Sequence, residues 1–257
     1  MHKLIVIFLL SVQAYAMDNP VINILYNLVR NSDELKLSLA KDPDLIKKQD
    51  SDGLTLLHHA AQIGSFCGSS SSEEILNILF NAPGVDFTIK DNNNNTPVHV
   101  AALCCEDRTT CKFIFPEFLK AAERHKFNFS TLGQNGRSVL HIATTCSYTD
   151  HGFSRRENNV LNVINNVKNP GLNVFSESGA TAFFYAVNSC HFPEALALLD
   201  AGAKPKLYGS EERKPKTVLK RYISKLDKEL KTETDPDRRA ALLAKRKDLK
   251  IFKKKCF

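Results

Sequence analysis

What the sequence lacks narrows its chemistry first. After its opening sixteen residues, no apolar run approaches the eighteen or so residues that a bilayer-crossing helix requires, so the remainder reads as a soluble chain. There is no G-x-S-x-G nucleophile turn and no glycine-rich phosphate loop. Nothing therefore points to an enzyme, a small-molecule substrate or a cofactor. Seven cysteines are present, but none form the C-x2-C pair of structural zinc sites, and their odd number argues against a complete disulfide framework. Acidic residues are scarce toward the C-terminus: Ala203 to Phe257 carry 19 Lys and Arg against 8 Asp and Glu, net +11, whereas the preceding residues are net −4. The basic character belongs to the tail and not to the body.

The opening segment, MHKLIVIFLLSVQAYA, has a short basic start at His2 and Lys3, an apolar run from Leu4 to Leu10, and the small-residue pattern Ala14-Tyr15-Ala16. A buried first helix is the plainer reading, but the run has no polar face and fits residues 1–16 as a secretory signal peptide. The mature chain then begins near Met17, and a secreted or periplasmic location is expected.

What is present is a period. The segments DSDGLTLLHHAA (50–61), DNNNNTPVHVAA (91–102), GQNGRSVLHIA (133–143) and the weaker GATAFFYA (179–186) align on Thr55, Thr96, Ser138 and Thr181, spaced 41, 42 and 43 residues apart. Each residue of the motif has a structural task. Asp binds its own backbone two residues on, and Gly, or Asn94 in its place, tolerates positive φ in the turn. The hydroxyl residue sits at a helix N-cap and is expected to accept from an otherwise unpaired N–H, and Pro97 occupies the first helical position, where a missing N–H costs nothing. Histidine three residues later lies over the hydroxyl, and the paired alanines let helices approach closely. Second helices are predicted at Glu73–Phe80, Phe115–Ala122, Asn158–Val167 and Pro193–Leu199, the last stopped by Gly202. Ahead of the first motif, an apolar-periodic helix from Asn19-Pro20, a capping box of Asn31 with Glu34 and a turn at Asp42-Pro43-Asp44 form an N-terminal capping unit.

The pattern resembles the ankyrin repeat, D-x-x-G-x-T-P-L-H-x-A-A followed by a second helix, over about residues 20–205; Asp91, Thr96, Pro97, His99, Ala101 and Ala102 keep it best. Departures are Asn94 for glycine, Leu56 and Val139 for proline, and Phe184 for histidine. The resemblance implies an all-α helical solenoid over residues 17–205, an N-terminal capping repeat plus four repeats of about 42 residues, with non-catalytic protein binding through the turn tips and the first-helix face. On that footing Gln49, Ser51, Leu54, Asn92, Asn93, Asn95, Gln134 and Arg137 flank the motifs on exposed turns and are the expected partner contacts. The period exceeds the usual 33 or so residues because of insertions near Ser65–Ser72, Glu106–Cys111 and Ser147–Arg156. Ser69–Ser72 reads equally as a flexible linker. Phe153, Arg155 and Arg156, with His151, form a further contact patch, since aromatic residues and Arg are enriched at binding hot spots. Exported ankyrin arrays of this kind look like those that intracellular bacteria send toward host proteins.

Cys104, Cys105, Cys146 and Cys190 fall eight or nine residues after their hydroxyls, at the end of each first helix. Helices about 8–10 Å apart leave such a ladder too wide for unstrained disulfides, which need Cα atoms within about 7 Å. Small buried thiols are the plain reading, a local Cys105–Cys111 disulfide is the bridge to test, and metal is not expected. The rival to a binding module is a periplasmic thiol- or metal-handling protein that uses the cysteine-rich loops. His58, His99 and His141 would be spread along the stack and cannot converge on one site.

Residues 206–257 read as a basic helical extension. Leu219, Tyr222, Ile223, Leu226 and Leu230 hold helical spacing, Asp235-Pro236 restarts a helix, and Leu242, Leu249 and Phe252 continue the stripe. A helical hairpin capping the last repeat is one reading. A basic surface for anionic lipid, nucleic acid or an acidic partner is the other. A monomer that binds a protein partner of unknown identity is expected.

Overall fold

The computed structural model describes residues 32–63, 70–103, 111–145, 159–189, 191–205 and 215–256. Among these residues the protein is all α-helical, without strands. The expected signal segment, the helix from Pro20, Asn31 and most of the inserted loops lie outside them. Packing divides the chain into two compact units, residues 1–127 and 128–257.

In the first unit, α1 (Ser32–Lys41) leads into a 3-10 turn (Pro43–Lys47), followed by α2 (Leu56–Ile63), α3 (Ser70–Phe80), α4 (Pro97–Leu103) and α5 (Cys111–Arg124). Asp33 and Glu34 in the first turn of α1 and Lys41 in its last complement the helix dipole. Helix α2 packs on α3, α4 and α5. The α2–α4 contact is built from small and branched side chains, with Leu56, Leu57, Ala61, Val98, Ala101 and Ala102 all buried. Beneath them Phe118 meets Phe80 edge-on at 4.9 Å and Phe87 at 6.4 Å. His125 closes this cluster, donating from Nε2 to the Phe80 carbonyl at 2.9 Å.

Two expectations are corrected here. Ser70–Ser72, read as insertion or linker, form the first turn of α3. Cys111, expected in a loop, opens α5, which continues through Pro116. Proline removes one helical bond, but the stripe of Phe115, Phe118, Leu119 and Ala122, all buried, holds the helix across it.

In the second unit a 3-10 turn (Gln134–Gly136) precedes α6 (Val139–Thr145), α7 (Asn159–Asn166), α8 (Ala182–Asn188), α9 (Phe192–Asp200), α10 (Pro215–Thr232) and α11 (Pro236–Cys256). Helices α6 and α8 pack on each other and on their own second helices, α7 and α9. Helix α9 ends where glycine was expected to stop it: Gly202 has φ +101°, its N–H reaches the Leu199 carbonyl, and the Ala203 N–H reaches that of Leu198. This pair of backward bonds satisfies the last carbonyls of the helix. Helix α10 lies on α8, burying Leu219, Leu226 and Leu230, and its Tyr222 ring packs 5.0 Å from that of Phe192. Helix α11 packs on α10 through Leu249 and begins at Pro236, with the Asp235 carboxylate accepting from the Arg238 N–H at 2.8 Å. The tail thus covers the end of this unit.

Candidate functional site

Each motif copy folds into the same closed turn. In the first, the Asp50 N–H donates to the Leu54 carbonyl and the Gly53 N–H to the Asp50 carbonyl, each at 3.0 Å. The Asp50 carboxylate accepts from the N–H groups of Asp52 and Leu54 through one oxygen and from His59 Nε2 at 2.7 Å through the other. Asp91 repeats the pattern, accepting from the N–H groups of Asn93 and Asn95 at 2.9 and 2.8 Å. Positive φ falls at Gly53 (+74°), Asn94 (+66°), Gly136 (+61°) and Gly179 (+74°). Asparagine therefore does what the sequence asked of it at position 94.

Histidine links the turn to the helix. Thr55 Oγ1 lies 2.8 Å from His58 Nδ1, Thr96 Oγ1 lies 2.7 Å from His99 Nδ1, and Ser138 Oγ lies 2.7 Å from His141 Nδ1. The backbone N–H of Thr55 also points at His58 Nδ1, at 3.1 Å. An N–H can only donate, so Nδ1 is the bare nitrogen, the hydroxyl also donates to it, and the proton sits on Nε2. That proton reaches the following motif: His58 Nε2 donates to the Asn95 carbonyl and His141 Nε2 to the Ala180 carbonyl, each at 3.0 Å. Those two carbonyls also close the following turns, by accepting from Asp91 and Ser176. All three histidines are fully buried. Burial holds His58 below its ordinary pKa against the pull of the Asn95 carbonyl. Burial, reinforced by the Arg137 charge, pushes His141 down to about 4. His59 is likewise lowered by burial even though Asp50 acts in the opposite direction, so that contact is a hydrogen bond to a neutral ring at pH 7. These histidines are structural members, engaged on both nitrogens where the partners are seen.

The expected contact residues separate into three groups. Ser51, Asn92, Asn93 and Gln134 are exposed at turn tips. Gln49 is exposed too, but its Nε2 bridges the carbonyls of Gly53 and Lys90 at 2.6 and 2.9 Å. Asn92 joins adjacent turns in the same way, donating to the Ser51 carbonyl at 2.9 Å. Leu54 and Asn95, expected on the surface, are buried at 9% and 3% exposure. Both occupy the closing position of the turn, whose backbone bonds draw the side chain inward. Arg137 is half-buried, its guanidinium 5.1 Å over the Tyr185 ring. The first-helix face is also a correction: Pro97 to Ala102 in α4 and Val139 to Thr144 in α6 are buried throughout. The exposed surface of each motif is its turn tip. The Asp50–His59 pair was missed, because a carboxylate and a histidine nine residues apart carry no periodic signal.

Phe153, Arg155, Arg156 and Cys105 lie outside the described residues, as does the side chain of Cys111. Among the described residues, no group of three or more His, Cys, Asp or Glu is arranged to hold a metal ion, and no helix is long and apolar enough to cross a membrane. Compared with protein-family models and with curated proteins, the chain matches none.

Proposed function

We propose that the chain is an ankyrin-type repeat array serving as a non-catalytic protein-binding module that is exported through its N-terminal segment and directed at a partner protein, as host-directed bacterial effectors are. The observation that carries this reading is the division of labour within each motif. Asp50 and Asp91, the hydroxyl residues and, in the first three copies, the histidines are consumed by turn closure and helix linkage, and exposed polar side chains stand at the tips, with Ser51, Asn92 and Asn93 together in the first unit. A pair of adjacent tips held by backbone and amide bonds is a rigid platform, and rigidity lowers the ordering cost of binding.

The test is affinity capture with the mature chain as bait, comparing wild type with Ser51→Arg/Asn93→Arg, which alters two exposed tips while leaving the Gln49 and Asn92 bridges in place. Capture of a discrete protein by wild type and its loss from the variant, with helical circular dichroism unchanged, supports the reading. Equal capture by both counts against the tips.

A further inference from the structure

The outer helix of the tail carries a surface that the capping role does not use. Helix α11 packs on α10 on one side only, with Leu249 buried at 2% exposure. At about 100° per residue, Ile251 points some 200° away from Leu249. Leu243 and Ile251 are 50% and 56% exposed, and they are two of the five large hydrophobic side chains left in water among the described residues. Lys247 falls between them at i+4 spacing and Lys254 follows one turn after Lys250, all three exposed, with Lys250 also within electrostatic reach of Asp227 on α10.

Most of the hairpin's carboxylates are engaged elsewhere, and Asp227 also acts on one of these lysines, Lys250. Asp227 is taken by Arg246, Glu233 by Arg238 at 3.3 Å and Glu229 by Lys225 at 3.9 Å, while Asp235 caps α11. On α11 itself the sequence offers only Asp237 and Asp248. Helix α10 adds exposed Lys220, Arg221, Lys228 and Lys231 to the same basic hairpin.

From this we infer that the outward face of α11 is a docking surface for an anionic membrane. The composition chooses among anionic partners. A nucleic-acid surface would place aromatic rings among its cations for base stacking, and a protein hot spot would favour aromatics and Arg. The two arginines within a turn of Leu243 are spent elsewhere, Arg239 on the Leu230 and Glu233 carbonyls and Arg246 on Asp227, which leaves lysines beside the exposed pair, and that pair is aliphatic. Aliphatic side chains enter the boundary between headgroups and acyl chains while lysine stems run along it and keep their ammonium groups at the phosphates. Two aliphatic side chains supply little insertion energy by themselves, so attachment is governed by charge, reversible and salt-sensitive.

The experiment is co-sedimentation of the full chain with vesicles of phosphatidylcholine alone and with about one third phosphatidylserine. Binding is expected to the second kind only, and to be abolished in about 0.5 M NaCl, where the screening length shrinks to a few ångströms. At about 1 kcal/mol per lysine near the surface, Lys247→Glu/Lys254→Glu lowers affinity at least about 30-fold. Leu243→Ser/Ile251→Ser lowers it about 10-fold with charge unchanged. Both variants alter exposed side chains, and unchanged helical circular dichroism certifies their folding. Failure to bind phosphatidylserine vesicles, or binding that ignores the lysine reversals, overturns the proposal. So does indifference to the serine pair combined with equal binding to polyglutamate or single-stranded DNA, which would assign the face to an acidic polymer.

Discussion

Helices α6 and α8 both begin after a buried hydroxyl residue, Ser138 and Thr181, at the close of the same kind of turn, yet they are anchored by opposite bonds. In α6 the hydroxyl donates its proton to the His141 ring, and the ring passes a second bond onward to the Ala180 carbonyl. In α8 the corresponding residue is Phe184, and the Thr181 hydroxyl turns round to accept from the Phe184 N–H at 3.3 Å, an ordinary N-cap. The difference lies in what comes next along the chain. A motif copy follows α6 and offers a carbonyl; after α8 and α9 comes the tail, and α10 packs on α8 instead. An imidazole at 184 would bury an Nε2 proton with no turn ahead to receive it. An apolar ring, 3% exposed, suits that side better. The weakest copy of the motif is therefore adapted to being the last.

This comparison can be broken by experiment. The largest effect is expected where the linkage exists. His141→Leu strips the Ser138 hydroxyl and N–H of their acceptor and leaves the Ala180 carbonyl with Ser176 alone; about 3 kcal/mol of stability should be lost in urea unfolding at pH 7. The same variant should blunt the acid response. Because His141 titrates at about 4 when folded and near 6.5 when unfolded, the unfolded chain takes the proton first. Stability is full above pH 6.5, declines by about 3 kcal/mol as pH falls to 4, and declines no further from this group below that. A wild-type chain whose unfolding midpoint is level across that range would refute the linkage. Phe184→His, the reverse exchange, should cost about 2 kcal/mol for a buried ring without a forward acceptor. Should that variant match wild type in thermal unfolding, the position is not an end marker. Thr181→Ala removes only a cap and should cost about 1 kcal/mol, well short of the His141 loss.

Much of this was legible in the sequence. The four hydroxyl positions set the first helices α2, α4, α6 and α8 to within a residue, because N-caps, turn glycines and the restart at Asp235-Pro236 are local signals. That the histidine ring meets the hydroxyl followed from spacing alone, but not that the hydroxyl donates to the ring. Its second bond did not, since His58 reaches Asn95 and His141 reaches Ala180 across 37 and 39 residues. The tips were read half correctly for a related reason. Leu54 and Asn95 flank the motif as closely as Asn93 does, but which side chain turns inward depends on the closing bonds of the turn. Leu243 and Ile251 stand off the apolar stripe of α11, and helical spacing marks the residues that pack, not those left outside it.

The forward reach of the histidine also bears on how such a chain lengthens. Inserting a copied unit behind His58 or His141 delivers a fresh turn carbonyl to a ring already waiting for one, and the copy brings its own ring for the unit beyond. A copy placed after Phe184 meets no such reception and would have to displace α10 from its seat. A duplicated unit is therefore received behind His58 or His141 but not behind Phe184, where α10 holds the seat.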